Sequence, residues 1–214
     1  MITTSTPAEQ RVLLKNISWK LFERLLKEMG EQRSTRLAYH KGQLELMTPL
    51  WEHEDNKRVI ERLIDTLTEE LNIDVRMGGS TTLKRPEMSA GKEPDSCYYI
   101  QNAARVRGKK EIDLTQDPPP DLALEIDITS SSLNQLSIYS DLGVPEVWRY
   151  NGSRLQIYQL QNGEYVECDS PIPLLPTTKV EEFLEQCQNL GVTPAVRQFR
   201  EWVRNQLQNS ETGQ

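Results

Sequence analysis

Cysteine is scarce in this chain: Cys97, Cys168 and Cys187 are the only three, and they lie far apart in the sequence. An odd number of scattered cysteines argues against a framework of disulfide bonds, and their spacing is not that of a structural zinc site. We therefore expect ordinary reduced thiols.

Long apolar runs are also missing. The sequence has no stretch of about 18 apolar residues that could cross a bilayer. Its first residues, MITTSTPAEQ, lack the charged and then apolar pattern of a secretory signal. We therefore expect a cytoplasmic protein that does not contact a membrane.

Positive charge is in the minority, with 25 Lys and Arg residues against 32 Asp and Glu residues and a net charge of −7. Lys and Arg supply most of the non-specific affinity for phosphate backbones, so the overall charge disfavours avid DNA binding. A local basic face and an ordinary solvated loop are both open for the two densest basic groups. These are Arg105, Arg107, Lys109 and Lys110, and Lys84, Arg85 and Lys92.

The 214 residues are 36% hydrophobic, which is enough for one core. We predict a disordered N-terminus over residues 1–10, one domain over residues 11–207, and a polar tail, QNSETGQ, over residues 208–214.

Hydrophobic periodicity predicts an α/β protein. Helical spacing predicts helices at Trp19–Met29, Glu52–Asn72, Leu133–Leu142, Val180–Asn189 and Thr193–Gln208. Strands are predicted at Thr35–Tyr39, Gln43–Met47, Asp74–Met77, Ser80–Lys84, Asp95–Ile100, Leu122–Ile128, Glu146–Tyr150, Arg154–Gln161 and Glu164–Cys168. Residues 85–93 and 101–120 are predicted as loops. A helix between two strands implies a crossover and a partly parallel sheet.

Two acids interrupt the apolar run LALEIDIT, which spans residues 122–129. Burying an unpaired carboxylate costs several kcal/mol, so these acids need a binding partner. Glu125 and Asp127 are two residues apart on a strand and share one face. With Asp95 from a neighbouring strand they form a plausible oxygen site for Mg²⁺ or Mn²⁺.

Five segments occur in an order that resembles the Uma2 family, a restriction-endonuclease-like group common in cyanobacteria. They are WKLFERLL, KGQLELMTPLWEHE, EPDSCYYI, PPPDLALEIDITSSS and IYSDLGVPEVWRY. The resemblance covers roughly residues 15–170. It implies the PD-(D/E)xK nuclease fold, with an N-terminal helix and hairpin, a central mixed β-sheet flanked by helices, and a divalent metal.

The resemblance assigns the metal to Asp95 and Glu125. Asp127 is either a third ligand or a cap for the Ser130–Ser132 turn. The family fold often adds an acid near the start of the long helix, which makes Glu54 a candidate ligand. Carboxylates in a first helical turn also favour the helix dipole, so a capping role is open there. The second Pro-Asp pair, Pro120-Asp121, precedes Glu125 on the same strand and cannot supply the acid from an adjacent strand.

The motif lysine is missing. It is normally two residues after the Glu, where this chain has Asp127, or four residues before Tyr139, where it has Gln135. Glutamine can position a water but supplies no positive charge, and the loss of one such electrostatic group typically costs about 10²- to 10³-fold in rate. Lys84 or Lys92 could substitute from another element.

Two functions follow as expectations. The first is a metal-dependent endonuclease that hydrolyses nucleic acid, DNA more readily than RNA, and that acts as a homodimer. The catalytic set would be Asp95, Glu125, Asp127, Gln135 and Lys84. The alternative is a non-catalytic binding or structural module that keeps the nuclease fold.

Overall fold

The computed structural model describes residues 9–30, 33–129, 131–169 and 177–212. Its strands are β1 (Glu9–Lys15), β2 (Arg36–His40), β3 (Gln43–Pro49), β4 (Arg76–Met77), β5 (Leu83–Arg85), β6 (Ala90–Lys92), β7 (Ser96–Tyr99), β8 (Leu122–Ile126), β9 (Glu146–Tyr150), β10 (Leu155–Gln161) and β11 (Glu164–Cys168). Its α-helices are α1 (Trp19–Met29), α2 (Trp51–Glu70), α3 (Ala103–Val106), α4 (Gln135–Leu142), α5 (Thr177–Leu190) and α6 (Val192–Thr212).

One sheet is mixed and has six strands in the order β11-β10-β9-β8-β7-β4. β8 and β9 are parallel, and the other neighbours in this sheet are antiparallel. The crossover between β8 and β9 runs through α4, which Asn134 caps by accepting a hydrogen bond from the Ser137 N–H at 3.2 Å. Gly143 ends α4 with a φ of 77°, a conformation that favours glycine. The α/β class and the mixed sheet are confirmed.

β8 is buried on both faces, and its two faces have different partners. Leu122, Leu124 and Ile126 pack in the same cluster as apolar residues of α2, α5 and α6. Ala123 packs in a second cluster with α4. Because side chains alternate along a strand, Glu125 shares the face of Ala123 and points toward α4.

The second sheet is antiparallel, with five strands in the order β1-β3-β2-β6-β5. α4 packs against β5 and β6, which brings this sheet to the Glu125 face of the first one. Lys92 pairs with Ala38 at the end of β6. The position of α4 between the sheets therefore determines which residues meet the acids.

Several predicted boundaries are corrected. The predicted loop at residues 85–93 contains β6 and a 3-10 helix at Pro86–Met88, and the predicted loop at 101–120 contains α3. β1 was not predicted, and it includes Glu9 and Gln10 from the predicted N-terminal tail. α6 continues through residues 208–212 of the predicted polar tail. Residues 1–8 and 213–214 lie outside the described residues, and the single domain stays a prediction.

No helix in the described ranges is both long enough and apolar enough to span a membrane.

Candidate functional site

The three predicted acids converge where β7 begins and β8 ends, at one end of these two strands of the mixed sheet. Ser96 pairs with Leu124, so Asp95, the residue before β7, lies beside Glu125. The Ile126 N–H donates to Asp95 Oδ2 at 2.7 Å, and the Asp127 N–H donates to the Tyr150 carbonyl at 2.7 Å. Asp95 is 1% exposed, Glu125 is 2% exposed and Asp127 is 8% exposed. Three carboxyl groups are thus held together below the surface, where each needs compensation.

Asp95 is compensated by two cationic side chains. Its Oδ1 lies 2.9 Å from His53 Nε2 and 3.2 Å from Arg36 Nε. Burial by itself would raise the pKa of Asp95. The hydrogen bond and charge of His53, followed by the charge of Arg36 and the Ile126 N–H, outweigh burial and lower the pKa to about 2.

His53 links Asp95 to a second acid. Its Nδ1 lies 3.1 Å from Glu9 Oε1, while its Nε2 faces Asp95. Burial acts to lower the pKa of His53, but the hydrogen bonds to Asp95 and Glu9 and the charges of both acids raise it to about 9. The imidazole is therefore protonated at neutral pH, and both ring nitrogens donate. His53 is buried and stabilises the ionised form of Asp95.

Glu125 has one cationic partner. Lys92 Nζ lies 3.0 Å from Glu125 Oε2, and the Tyr139 hydroxyl donates to Oε1. Burial raises the pKa of Glu125, Lys92 opposes this rise, and the neighbouring charges of Asp95 and Asp127 add to it, giving a pKa of about 7. One lysine does not fully offset burial and two neighbouring acids.

Asp127 is occupied by other protein groups. Gln135 Nε2 donates to its Oδ1 at 3.0 Å, and Arg149 contacts its Oδ2 through both Nε and a terminal nitrogen at 2.8 Å. Arg11 lies 3.5 Å from Oδ1. Both oxygens of Asp127 thus already accept from protein side chains, and its role as a third ligand stays a prediction.

Glu45 caps the described part of the predicted turn at Ser130–Ser132, which is residues 131 and 132. Glu45 accepts hydrogen bonds from Ser131 Oγ and from the Ser132 N–H, both at 2.8 Å. It also pairs with Arg11 at 2.7 Å. Residue 130 lies outside the described residues. Glu45 therefore holds residues 131 and 132 of this turn.

Two other predicted site residues lie outside the acid centre. Lys84 is exposed on β5, and no hydrogen bond or ion pair joins it to the three acids in the described part of the chain. Lys92, named with it as a substitute, is the lysine that reaches Glu125. Glu54 is paired with Arg36 at 2.9 Å, and its side chain is 38% exposed. The lysine beside Glu125 thus comes from β6 rather than from β5.

Asp121 has a structural role. Its carboxylate accepts hydrogen bonds from the Ile100 N–H at 2.7 Å and from the Asn102 N–H at 3.1 Å. It also accepts one from the Asn102 side chain at 2.8 Å. These bonds hold the loop after β7, which agrees with setting the second Pro-Asp pair apart from the site.

Sequence reasoning missed most of the compensating residues. Arg11 in β1 joins three acids, since it contacts Glu9, Glu45 and Asp127. Arg149 is the register partner of Glu125 on β9. The signal for Arg149 was available, because a cation on a strand parallel to an acidic strand can meet its acids. β1 gave no comparable signal, since it was not recognised as a strand.

Two openings reach the margin of the centre. A cleft of about 970 Å³ includes Arg36, Glu54 and Glu93 in its wall. A smaller cavity of about 290 Å³ is lined in part by Asp127, Gln135 and Arg149. Neither of these two openings is lined by Asp95 or Glu125, so both acids lie behind neighbouring side chains.

A divalent cation fits part of the predicted ligand set. In the described ranges, no group of three or more His, Cys, Asp or Glu side chains is placed to hold a metal. A carboxylate offers about four acceptor positions, and Glu125 uses two with side-chain partners. Mg²⁺ is commonly held by only one or two carboxylates together with water and substrate oxygens. Asp95 and Glu125 fit such a site by donor chemistry, and the ligand roles of Asp127 and Glu54 stay predictions.

The comparison with protein families agrees with the resemblance. The model of the Uma2 family, described as "Putative restriction endonuclease", matches residues 19–193. A crystal structure described as a "putative nuclease belonging to DUF820" from Anabaena variabilis ATCC 29413 is similar at 17% identity. The similarity covers 73% of this chain and 84% of that chain, with a TM-score of 0.43. The comparison with curated proteins gave no match. Since the family match includes Lys92, Asp95, Glu125 and Gln135 and spans well over half of the sequence, the chain belongs to the Uma2 family.

Proposed function

We propose that this chain hydrolyses phosphodiester bonds of nucleic acid at a centre formed by Asp95, Glu125 and Lys92. The observation that carries the proposal is the 3.0 Å contact between Lys92 Nζ and Glu125 Oε2. An aspartate, a glutamate and a lysine are the residue types that the nuclease motif requires. Here the lysine comes from β6, not from position 127 or 135.

Lys92 supplies the charge that Gln135 lacks. Its side chain is 6% exposed, so its field is screened by water less than that of a surface lysine. An ammonium at this position favours negative charge that develops on a bound phosphate, and it holds a water near Glu125. A Mg²⁺ or Mn²⁺ ion held by Asp95 and Glu125 would polarise the scissile phosphate.

Gln135 has an unused acceptor beside the centre. Its Nε2 donates to Asp127, while its buried Oε1 has no hydrogen-bond partner in the described part of the chain. A buried acceptor without a partner costs free energy until a donor reaches it. Oε1 therefore suits a water or a substrate N–H or O–H, which is a positioning role that needs no charge.

DNA as the preferred substrate and a homodimer as the active form belong to the same proposal. The family description names restriction endonucleases, whose substrate is DNA. A two-fold dimer is the commonest assembly of a soluble homo-oligomer. Sedimentation velocity and parallel DNA and RNA substrates test these two points separately.

A second candidate function is a nucleic-acid-binding module without hydrolysis. It is favoured by the sealing of Asp95, which is 1% exposed and faces both His53 and Arg36.

The test is a cleavage assay with Mg²⁺ or Mn²⁺ on labelled single-stranded and duplex oligonucleotides. We expect cleavage by the wild type and a loss of about 10²- to 10³-fold in kcat for Lys92→Met, the loss typical of one electrostatic group. Lys20→Met removes an exposed lysine from α1 and should leave the rate unchanged.

Folding must be separated from chemistry, because Lys92→Met leaves Glu125 without its cation. The double variant Lys92→Met with Glu125→Gln removes both charges, and circular dichroism reports whether each variant is folded. A folded Lys92→Met protein that cleaves at the wild-type rate would rule out the role of Lys92. A folded wild type that cleaves neither substrate with either ion favours the second candidate.

A further inference from the structure

The cleft of about 970 Å³ has features that the proposed function leaves unexplained. Its walls include residues of α1, the first turn of α2, β5, and the stretches 33–36, 78–82 and 110–112, together with Pro49 and Glu93. From its charge, its aromatic neighbour and its link to Asp95, we propose that this cleft binds single-stranded nucleic acid. The inference rests on the proposed function for what happens at the acids, but the binding itself is tested without cleavage.

Two ion pairs in the cleft wall neutralise themselves. Arg33 pairs with Glu93, and Arg36 pairs with Glu54 at 2.9 Å. Glu93 is held further by the Leu37 N–H at 2.8 Å. These residues form a fixed polar wall with no net charge, so the net charge of the cleft depends on its other ionised side chains.

Those other side chains leave an excess of positive charge. Lys27, Lys84 and Lys110 are exposed in the cleft and form no ion pair within the described ranges. They are opposed by two exposed acids, Glu23 and Glu111. On a chain with a net charge of −7, a concave surface with three unpaired ammonium groups is a local site for phosphates.

Trp51 supplies an exposed aromatic ring next to this cleft. It is the first residue of α2 and is 83% exposed. Pro49 and Glu54, two residues before it and three after it, both line the cleft. An indole in water loses the benefit of burial, but it can stack on a nucleobase. Stacking needs a base whose face is free, which a single strand offers and an intact duplex does not.

Arg36 connects the cleft to the centre. It lines the cleft, and its Nε lies 3.2 Å from Asp95 Oδ1. Asp95 and Glu125 lie below the surface at 1% and 2% exposure. A flexible strand can direct one phosphate toward Arg36 inside a concave site, whereas a rigid duplex keeps its phosphates on the outside of a wide cylinder. The geometry therefore favours a single strand.

The first test measures stacking by fluorescence anisotropy with labelled oligonucleotides of about 12 nucleotides. The buffer contains EDTA, so that cleavage does not contribute. Trp51→Ala should weaken binding of single-stranded DNA about 5- to 160-fold, the range for losing a stacked base. Trp51→Phe should restore most of the affinity. Leu190→Ala removes another exposed apolar side chain, which is not among the residues that line the cleft, and should bind like the wild type.

The second test measures phosphate contacts by salt dependence. Changing Lys27, Lys84 and Lys110 to Gln should make the negative slope of log K against log salt shallower by about 2. This corresponds to roughly 0.7 for each lost contact with a single strand. A control changes three other exposed cations to Gln: Lys15, Arg62 and Arg197. The control should keep the wild-type slope.

The outcomes separate this inference from the proposed function. Single-strand binding that depends on Trp51 and the cleft lysines supports the cleft even if no cleavage occurs. Duplex binding as tight as single-strand binding, wild-type affinity in Trp51→Ala, or no binding to either DNA or RNA strands would overturn it. A difference between the DNA and RNA strands identifies the preferred sugar.

Discussion

Asp95 and Glu125 lie side by side, yet the fold shifts their pKa values in opposite directions. The pKa of Asp95 falls to about 2, and that of Glu125 rises to about 7. Both carboxyl groups are almost fully buried, so burial alone does not separate them. The difference lies in their partners: two cationic side chains and a backbone N–H serve Asp95, whereas one lysine serves Glu125 between two other acids.

The two sheets contribute different parts of the centre. The three acids come from the mixed sheet, at the ends of β7 and β8. Three of their cationic partners, Arg11, Arg36 and Lys92, come from the antiparallel sheet. The ionic centre therefore joins the two sheets, and removing an acid should have an effect set by the cations that it leaves behind.

The largest effect is expected for Asp95→Asn. The amide keeps the shape but removes the charge that faces His53 and Arg36. Leaving buried cations without their acid costs about 3 to 5 kcal/mol of unfolding free energy. Urea denaturation measures the cost as a lower midpoint at an unchanged slope.

Glu125→Gln should lower the free energy of unfolding by less than Asp95→Asn does. It leaves Lys92 without a partner but removes the repulsion from Asp95 and Asp127. Asp74→Asn, at an exposed surface pair with Arg107, should change stability by no more than about 0.5 kcal/mol. Equal costs for the Asp95 and Glu125 variants would show that their partners do not distinguish them.

The next effect is a fall in stability as the pH rises. The pKa of His53 is about 9 in the folded chain and 6.5 in the reference state, so the folded chain binds the proton more tightly. This stabilisation is complete below pH 6.5 and is lost as the pH rises through 9, on the order of 3 kcal/mol in total. Glu125 acts in the same direction between pH 4.5 and 7, because its pKa is also raised on folding.

Denaturation curves between pH 5 and 9 check this prediction. His53→Asn should remove most of the slope above pH 6.5. His40→Asn, which alters a histidine paired with Asp141 outside the centre, should keep it. A wild-type stability that is constant from pH 6.5 to 9 would contradict a protonated His53 between two acids.

At the acid end, stability should decrease as the pH falls from 3.8 toward 2, where Asp95 gains a proton.

The mixed sheet and its acids were accessible to sequence reasoning. β8 is an apolar run, and its alternation placed Glu125 and Asp127 on one face without any structural information. Gly143 and the spacing of the apolar residues predicted α4 and therefore the crossover. These features depend on residues close in the sequence, whose periodicity reports the local structure directly.

The antiparallel sheet was predicted only in part: the hairpin of β2 and β3 was predicted and the predicted strand Ser80–Lys84 overlaps β5, whereas β1 and β6 were missed. β5 and β6 are three residues each and lie in a segment rich in Pro, Gly and charge, where turn signals dominate. β1 is an edge strand, and two of its apolar residues, Val12 and Leu14, are exposed. Its sequence therefore lacks the alternation of buried apolar and exposed polar residues that predicts a half-buried strand. The contact between Lys92 and Glu125 spans 33 residues and depends on how α4 packs, which local patterns do not encode.

The smallest effect is expected for Tyr139→Phe. The Tyr139 hydroxyl donates to Glu125 Oε1, and the residue is fully buried. Losing this one bond should cost about 1 kcal/mol of unfolding free energy and raise the pKa of Glu125 further, because its charged form loses a donor. Carboxyl-carbon NMR of Glu125 measures the pKa. Tyr165→Phe is the matched control: its hydroxyl donates to the Val144 carbonyl at 2.6 Å, so it should cost similar stability without moving that pKa. An unchanged Glu125 pKa in Tyr139→Phe would mean that the Tyr139 hydroxyl does not contribute to the ionisation of this acid.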